Sequence, residues 1–263
     1  TVTVKFKLKG EQNAFVLSWT STPWTLLGNV ALAINEALTY AKIKVGNEMY
    51  ILAKDRLETI KEKYSIIEEF KGTELLNKEY EPLYHIPADK KGYIIINGGD
   101  QVLASEGTGI VHMALYGEFD YEMVKKYNLP FIQHLDKGGK IHLGPKEFIG
   151  IWFKNADGKV LQDLEKRGLV YGIEKTTHSY PFCYRCDTPL FYNALDSWFV
   201  DIQKIKKKIM QKNSEINWYP KHIKEGRFKN VLETAPDWTI SRNRFWATAL
   251  PIWKCKICNK TAV

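Results

Sequence analysis

Hydrophobic and polar residues alternate at the start of the chain, which predicts β-structure in its first third. Residues 2–8 alternate, and residues 14–19 and 49–53 form short apolar runs of strand length. Residues 93–96 and 107–111 predict two further strands.

Apolar residues at helical spacing occur in four other segments. Between residues 55 and 70 the apolar positions lie three to four residues apart with charges between them, which predicts an amphipathic helix. Two more helices are predicted at residues 120–128 and 163–167, and Gly168 is expected to end the second of these. A fourth helix is predicted at residues 202–213. This mixture of strands and helices predicts a mixed α/β fold.

Composition and charge narrow the class of protein. The chain has 263 residues, is 44% hydrophobic and has 18 Gly and 10 Pro, which excludes disordered and collagen-like classes. The net charge of +8 favours an anionic partner. The longest apolar run is far shorter than the roughly 20 residues that span a bilayer, and no leader opens the chain. We therefore expect a cytoplasmic protein with no membrane partner.

The composition changes near residue 175, where aromatic and basic residues become more frequent. We place a boundary there and predict two domains, 1–175 and 176–263. The lysines within residues 202–213 alternate with apolar residues, a pattern typical of the solvated face of an amphipathic helix rather than of a dedicated nucleic-acid site.

The four cysteines form two Cys-x-x-Cys pairs, Cys183 with Cys186 and Cys255 with Cys258. Thiolates two residues apart can bind one metal ion, and zinc is the expected ion for tetrahedral thiolates. The 68 residues between the pairs exceed the spacing of a simple zinc ribbon. One four-thiolate site and two half-sites with partners elsewhere are both open; buried apolar cysteines are the weaker explanation.

Residues 19–25, Trp-Thr-Ser-Thr-Pro-Trp-Thr, place four hydroxyl groups within six residues. Hydroxyls at a strand end can bind a small polar ligand and a water molecule, and the flanking indoles can supply an apolar wall. A turn whose hydroxyls bind their own backbone explains this segment equally well. His112 ends a second predicted strand and Asp120 follows it; singly, a structural histidine and a helix cap are the commoner roles.

Together these segments resemble the editing domain inserted into isoleucyl-tRNA synthetases. That family has a Trp-Thr-Thr-Thr-Pro-Trp-Thr-Leu segment, matched by residues 19–26, and a Gly-Thr-Gly-x-Val-His segment with an aspartate beyond it, matched by residues 107–120. The resemblance covers nearly the whole chain. It continues in residues 178–186, 197–199, 217–220, 226–228 and 237–246.

The resemblance implies a β-barrel-like editing domain with peripheral helices, followed by a partial Rossmann-type and zinc-binding segment. It implies that the partner is tRNA specific for isoleucine and that the pocket takes the valine or valyl-adenylate moiety. An apolar pocket distinguishes side chains that differ by one methylene by only about 1–3 kcal/mol, a limit for which the isoleucyl enzyme is the standard example, so a second, hydrolytic sieve is needed.

The resemblance also implies roles for individual residues. Asp120 would pair with the α-ammonium group of the substrate, and the hydroxyls would orient water and the terminal ribose. His112 would limit the size of the side chain and contact the ester carbonyl or the ribose; no partner that would make it a general base is visible. The candidate catalytic residues are Thr20, Ser21, Thr22 and Asp120, and the candidate substrate-binding residues are Trp24, Gly109 and His112.

Three features depart from the family pattern. The segment after His112 is one residue shorter and lacks a proline, Ala247 replaces a glycine, and Ala249 replaces a proline. Neither the His-x-Gly-His nor the Lys-Met-Ser-Lys-Ser segment that binds ATP in this class is present. We therefore expect a fragment that does not activate amino acids, with ATP and Mg²⁺ acting only in the intact parent enzyme. The resemblance further implies that the ligands completing each cysteine pair lie outside this chain.

Three alternatives remain. Valyl-tRNA synthetases usually have Arg-Pro-Glu where this chain has Thr22-Pro23-Trp24, and lysine in place of His112, so these residues favour the isoleucyl reading. A non-catalytic zinc-ribbon module would bind RNA through residues 180–258. Finally, the segment would be chiefly structural if cleavage needs the rest of a full synthetase.

Overall fold

The computed structural model describes residues 1–177, 179–241 and 249–263. The chain forms two compact units, Thr1–Ala194 and Leu195–Val263, called the first and the second unit below. Residues 176–194 belong to the first unit, and the domain boundary predicted near residue 175 stays a prediction. His178, the 242–246 part of the family-like segment and Ala247 lie outside the described residues.

A six-stranded mixed sheet frames the first unit. Its order is β6-β4-β5-β2-β1-β9, and neighbouring strands are antiparallel except the parallel pair β2 and β5. Its strands are β1 (Val2–Lys7), β2 (Ala14–Thr20), β4 (Thr39–Val45), β5 (Glu48–Ala53), β6 (Ser65–Lys71) and β9 (Val170–Ile173). Among the described residues β6 and β9 each pair with one strand, so the sheet is open. The expected barrel-like closure is therefore wrong, while the mixed α/β class is confirmed.

A second, three-stranded sheet carries the segment that ends at His112. Its order is β7-β3-β8, with β7 parallel and β8 antiparallel to β3. The three strands are β3 (Ala31–Ile34), β7 (Ile94–Asn97) and β8 (Val111–Met113). The alternating and apolar runs predicted as strands at the start of the chain, at 49–53 and at 93–96 are thus confirmed within a residue or two.

Two α-helices belong to the first unit, α1 (Glu118–Lys126) and α2 (Phe153–Lys166). α1 confirms the helix predicted from residue 120, and α2 begins ten residues before the helix predicted at 163–167. The helix predicted over 55–70 is wrong, because a 3-10 helix, Lys54–Thr59, is followed there by β6. β6 pairs along β4 at the sheet edge, and Ile66 and Ile67 are 47% and 54% exposed, so strand pairing overrides the local apolar spacing.

The core lies between the sheets and α2. Apolar side chains from both sheets and from α2 are almost completely buried there, which explains why the open sheet needs no closure to exclude water. They include Val4, Phe6, Leu32, Ile34, Tyr40, Phe153, Val160 and Leu164, and Leu75 and Tyr80 from the segment between β6 and β7 join them.

The second unit contains α3 (Ile202–Glu215), α4 (Lys229–Thr234) and two short antiparallel strand pairs. The pairs are β10 (Phe199–Val200) with β11 (Trp238–Thr239), and β12 (Trp253–Lys254) with β13 (Thr261–Ala262). α3 confirms the helix predicted over 202–213. Across residues 1–177, 179–241 and 249–263 no helix has the length and apolar character needed to cross a bilayer.

Candidate active site

Two side-chain hydrogen bonds join β2 to the segment that leads into β8. Ser18 Oγ donates to the carbonyl of Ile110 at 2.9 Å, and Thr108 Oγ1 donates to the carbonyl of Leu17 at 2.7 Å. All four residues are buried. These bonds bring the end of β2 beside β8, so the two segments that carry the candidate residues are neighbours in space.

A chain of hydrogen-bonded hydroxyls runs from the end of β2 to His112. Thr22 Oγ1 lies 3.3 Å from Thr20 Oγ1 and 3.3 Å from Thr25 Oγ1, and Thr25 Oγ1 lies 3.0 Å from His112 Nε2. Thr25 belongs to the 3-10 helix Pro23–Gly28, which begins at Pro23 because proline suits the first helical position. The predicted hydroxyls are therefore coupled to the predicted histidine through Thr25, a residue that the sequence analysis did not select.

The hydroxyl proton of Thr25 fixes the proton position on His112. Thr25 Oγ1 donates to the carbonyl of Thr22 at 2.7 Å, and a hydroxyl has only one proton to donate. Its contact with His112 therefore has Nε2–H as the donor. Nδ1 then has a free lone pair, and it is buried with no hydrogen-bond partner among the described residues. Burial lowers the pKa of His112 to about 4, so the ring is neutral.

Ser21 differs from the two threonines beside it. It is half-buried, and its hydroxyl makes no hydrogen bond within the part of the chain that the structure describes. Thr20 Oγ1 accepts from the backbone N–H of Thr22 at 3.1 Å, so part of the segment does satisfy its own backbone. The hydroxyl that remains available to a ligand or a water molecule is that of Ser21.

Asp120 lies in the first turn of α1, and its side chain folds back onto the loop that follows His112. Its carboxyl accepts a hydrogen bond from the backbone N–H of Ala114, two residues beyond His112. Gly117 makes room for it, because a Cβ there would lie 2.7 Å from Asp120 Oδ2. Burial raises the pKa of Asp120 to about 7. The shortened loop therefore holds Asp120 near the β8 strand end. Asp136, in contrast, accepts hydrogen bonds from its own turn.

The other two candidate residues are buried in the protein. Gly109 has a φ of +70°, and a Cβ there would lie 2.4 Å from the Ala53 side chain, so glycine is required for packing. The Trp24 ring is 2% exposed and packs edge-on against Tyr116 and Phe153, at centroid distances of 4.7 and 5.0 Å. Within the described residues Trp24 Nε1 has no hydrogen-bond partner. Both residues therefore pack beneath the protein surface and stabilise the segments that carry the site.

A carboxylate from α2 holds the 3-10 helix in place. Asp157 Oδ1 accepts from the backbone N–H of Trp24 at 2.9 Å, at the helix N-terminus, where a negative charge is favourable. Desolvation raises the pKa of Asp157. Asp157 is not marked by any local pattern in the sequence, because 133 positions separate it from Trp24.

Each cysteine pair lies in the same kind of turn. The carbonyl of the first cysteine accepts from the N–H four residues later, of Asp187 after Cys183 at 2.9 Å and of Asn259 after Cys255 at 3.0 Å. Asp187 and Asn259 both have a left-handed backbone, with φ of 53° and 58°. Such tight turns let both thiols of a pair reach one ion, so each pair fits two of the ligands of a zinc site.

The surroundings of the thiols limit what the pairs can bind. Cys186, Cys255 and Cys258 are exposed, and hydrogen bonds from the backbone of Cys258 and Ile257 lower the pKa of Cys255. The described residues contain no group of three or more His, Cys, Asp or Glu placed to hold a metal ion. Cys183 and Cys186 belong to the first unit and Cys255 and Cys258 to the second, and each pair offers two ligands.

The chain is similar to known proteins along its whole length. A family model described as tRNA synthetases class I (I, L, M and V) matches residues 15–263. The chain is 46% identical over 265 residues to the isoleucine–tRNA ligase of Clostridium acetobutylicum and 46% identical over 266 residues to that of Clostridium novyi. Each match covers 100% of this chain and 26% of the relative, so the chain spans about a quarter of their length.

The fold is also similar to a solved structure. A crystal structure described as GlLeuRS-CP1 superposes with a TM-score of 0.55 and 13% identity, covering 67% of this chain and 99% of that chain. At this identity the similarity concerns the fold alone. It agrees with the mixed α/β architecture of the first unit.

Proposed function

Because the chain belongs to the class I tRNA synthetases (I, L, M and V), we propose that it is the editing region of an isoleucine–tRNA ligase and hydrolyses valine esters on tRNA specific for isoleucine. The 46% identity to two such ligases over the whole chain supports this choice. The observation that carries the proposal is the hydroxyl chain from Thr20 to His112. The Asp120 carboxyl lies at the same strand end, because it accepts a hydrogen bond from the backbone N–H of Ala114.

In this proposal Asp120 binds the α-ammonium group of the valyl or valyl-adenylate moiety in its ionised form. Ser21 has the free hydroxyl and orients the attacking water, while Thr20 and Thr22 hold the segment and meet the terminal ribose. His112 is neutral, and the lone pair of its Nδ1 is buried, so its role in this proposal is to limit the size of the substrate side chain. A contact from this atom to the ester carbonyl is excluded, because neither atom has a proton to donate.

The rest of the chain has a supporting role in the proposal. The residues beyond 175 form part of a Rossmann-type catalytic domain, and ATP with Mg²⁺ acts only in the intact ligase. Cys183 with Cys186, and Cys255 with Cys258, would each supply two thiolates to a zinc ion whose other ligands would come from the remainder of that enzyme. Zinc would stabilise each turn there.

Offering valyl and isoleucyl esters of the same tRNA to the chain tests this proposal. We expect the valyl ester to be hydrolysed at least about tenfold faster, because one methylene in a size-limited pocket changes a rate by about 10- to 200-fold. Low salt keeps phosphate contacts strong during the assay. Equal rates for the two esters would refute the sieve, and cleavage that appears only in the intact ligase would favour the structural alternative.

A further inference from the structure

The net charge of the chain lies entirely in the second unit. Residues 1–194 contain 24 basic and 24 acidic side chains, whereas residues 195–263 contain 14 basic and 6 acidic ones. Charge concentrated in one compact unit attracts an anionic partner to that unit. The positive charge is therefore a local property of about a quarter of the chain.

Within this unit α3 separates lysines from packed residues. Ile202, Lys206, Ile209 and Met210 are half-buried and Asn213 is buried, a spacing that places them on one side of the helix. Lys204, Lys207 and Lys208 are exposed, the last two lie three and four residues after the first, and we call the three the lysine face.

The ammonium groups of the lysine face have no ion-pair partner in the described part of the chain. Among the described residues none of the three makes a hydrogen bond or an ion pair through its ammonium group. Other lysines of α3 do have partners: Lys206 donates to the Glu233 carbonyl at 3.0 Å, and Lys212 pairs with Glu215 at 2.6 Å. Like charges at this spacing repel, and Lys204 also lies in the first turn, where the helix dipole disfavours a cation and the Asp201 carboxylate, which accepts from the Lys204 backbone N–H at 2.9 Å, offsets part of that penalty.

The lysine pattern alone is typical of a solvated helix face, but because the charge is concentrated in this unit and these three lysines are unpaired in the described residues, we propose that the lysine face binds the phosphodiester backbone of tRNA. The identity of this RNA rests on the proposed function, whereas the polyanion site rests on the charges alone. A phosphate backbone removes both the repulsion and the dipole penalty. A membrane surface fits less well, because a helix that binds in the interface needs a wide exposed apolar face, and the apolar side of α3 is mostly packed within its unit.

The test compares two triple variants of the full chain. K204Q/K207Q/K208Q removes the lysine face, and K63Q/K159Q/K166Q removes three exposed lysines of the first unit that have no ion pair in the described residues. Glutamine keeps the helix propensity of lysine, so both variants should fold, which circular dichroism checks. Affinity for uncharged isoleucine-specific tRNA is measured from about 50 to 300 mM salt.

We expect the lysine-face variant to lower the slope of log affinity against log salt by about three, roughly one for each phosphate that is no longer neutralised, and the control to leave it nearly unchanged. Equal effects of both variants would overturn the proposal in favour of a general charge effect. Lysine-dependent binding to phosphatidylserine vesicles without binding to tRNA would overturn it in favour of a membrane.

Hydrolysis of the valyl ester separates this proposal from the proposed function. The lysine-face variant should raise KM at least about fivefold and leave kcat unchanged, because these residues bind the RNA and none of them belongs to the candidate active site. A changed salt slope with no hydrolysis by the parent chain would support the lysine face and refute the editing role. Hydrolysis by the parent chain, together with a salt slope that the lysine-face variant leaves unchanged, would support the editing role and refute the lysine face.

Discussion

At the scale of single residues, Asp120 is a half-buried acid whose ionised form the proposed reaction needs. Burial raises its pKa from 3.8 to about 7. Hydrolysis of the valyl ester should therefore fall as the pH decreases through 7, since the protonated acid no longer attracts the ammonium group. Asp120→Asn should lower the rate about 10- to 100-fold and remove this pH step. Initial rates across the pH range check both. Asp136→Asn is the matched control, and an equal loss in that variant would contradict the assignment.

The raised pKa of Asp120 also predicts that the free energy of unfolding decreases as the pH rises, whereas the rate of hydrolysis increases. An acid with a higher pKa in the folded state stabilises that state while protonated, and this contribution is lost as the pH rises from 3.8 through about 7. At pH values above 7, Asp120→Asn should therefore be more stable than the parent by on the order of 1–3 kcal/mol, with little difference near pH 4. Urea unfolding of both proteins near pH 4 and above pH 7 measures this difference in free energy. A variant less stable than the parent above pH 7 would disprove the prediction.

Thr25 determines which nitrogen of His112 carries the proton. In the parent chain the ring ¹⁵N spectrum should show a protonated Nε2 and an unprotonated Nδ1. Thr25→Val leaves the Nε2–H without an acceptor, so it should change this pattern and destabilise the fold by about 1–3 kcal/mol. Thr25→Ser keeps the hydroxyl and should restore the spectrum. A protonated Nδ1 in the parent would show that the proton assignment is wrong.

At the scale of elements, Asp157 connects α2 to the 3-10 helix that carries Thr25. Asp157→Ala leaves the buried N–H of Trp24 unpaired, and we expect a loss of about 1–3 kcal/mol in unfolding free energy together with a lower kcat for the valyl ester. Asp157→Asn keeps an acceptor oxygen and should recover most of both. If the alanine variant loses stability but keeps kcat, the carboxylate does not position the hydroxyl segment.

Local patterns in the sequence predicted the elements whose apolar spacing agrees with the structure that they form. β1, β2, β5, α1 and α3 follow from alternation or helical spacing. β6 did not, because its pairing with β4 at the open sheet edge is a tertiary property.

For the candidate site, too, local patterns in the sequence do not record contacts made through tertiary structure. The hydroxyls and His112 stand out in sequence, and the structure brings them together. The bridging role of Thr25 could have been inferred from its place in the same segment. Asp157 has no such signal, because it reaches Trp24 from a distant helix. Whether the sheet closes is likewise decided by the partners of its first and last strands, which no local pattern records.

At the scale of the molecule, the two units are built differently. The first has no net formal charge and buries three clusters of apolar side chains, whereas in the described residues of the second the one buried residue is polar, Asn213. Hydrophobic burial is the main source of stability, and repulsion within the second unit subtracts from it. The second unit should therefore open more often than the first.

Limited proteolysis with a low trypsin concentration tests this difference, because cleavage of a briefly opened segment follows the free energy of opening. Trypsin should first cut at lysines within residues 195–263 and leave a fragment that ends near Ala194, identified by mass spectrometry. The 21 lysines of the first unit make it an equally available target, so its survival would reflect structure rather than a lack of sites. Added tRNA should slow the cuts in α3, because the bound phosphates cover the lysine face and favour the closed form. Early cuts spread evenly over both units would contradict the difference in stability.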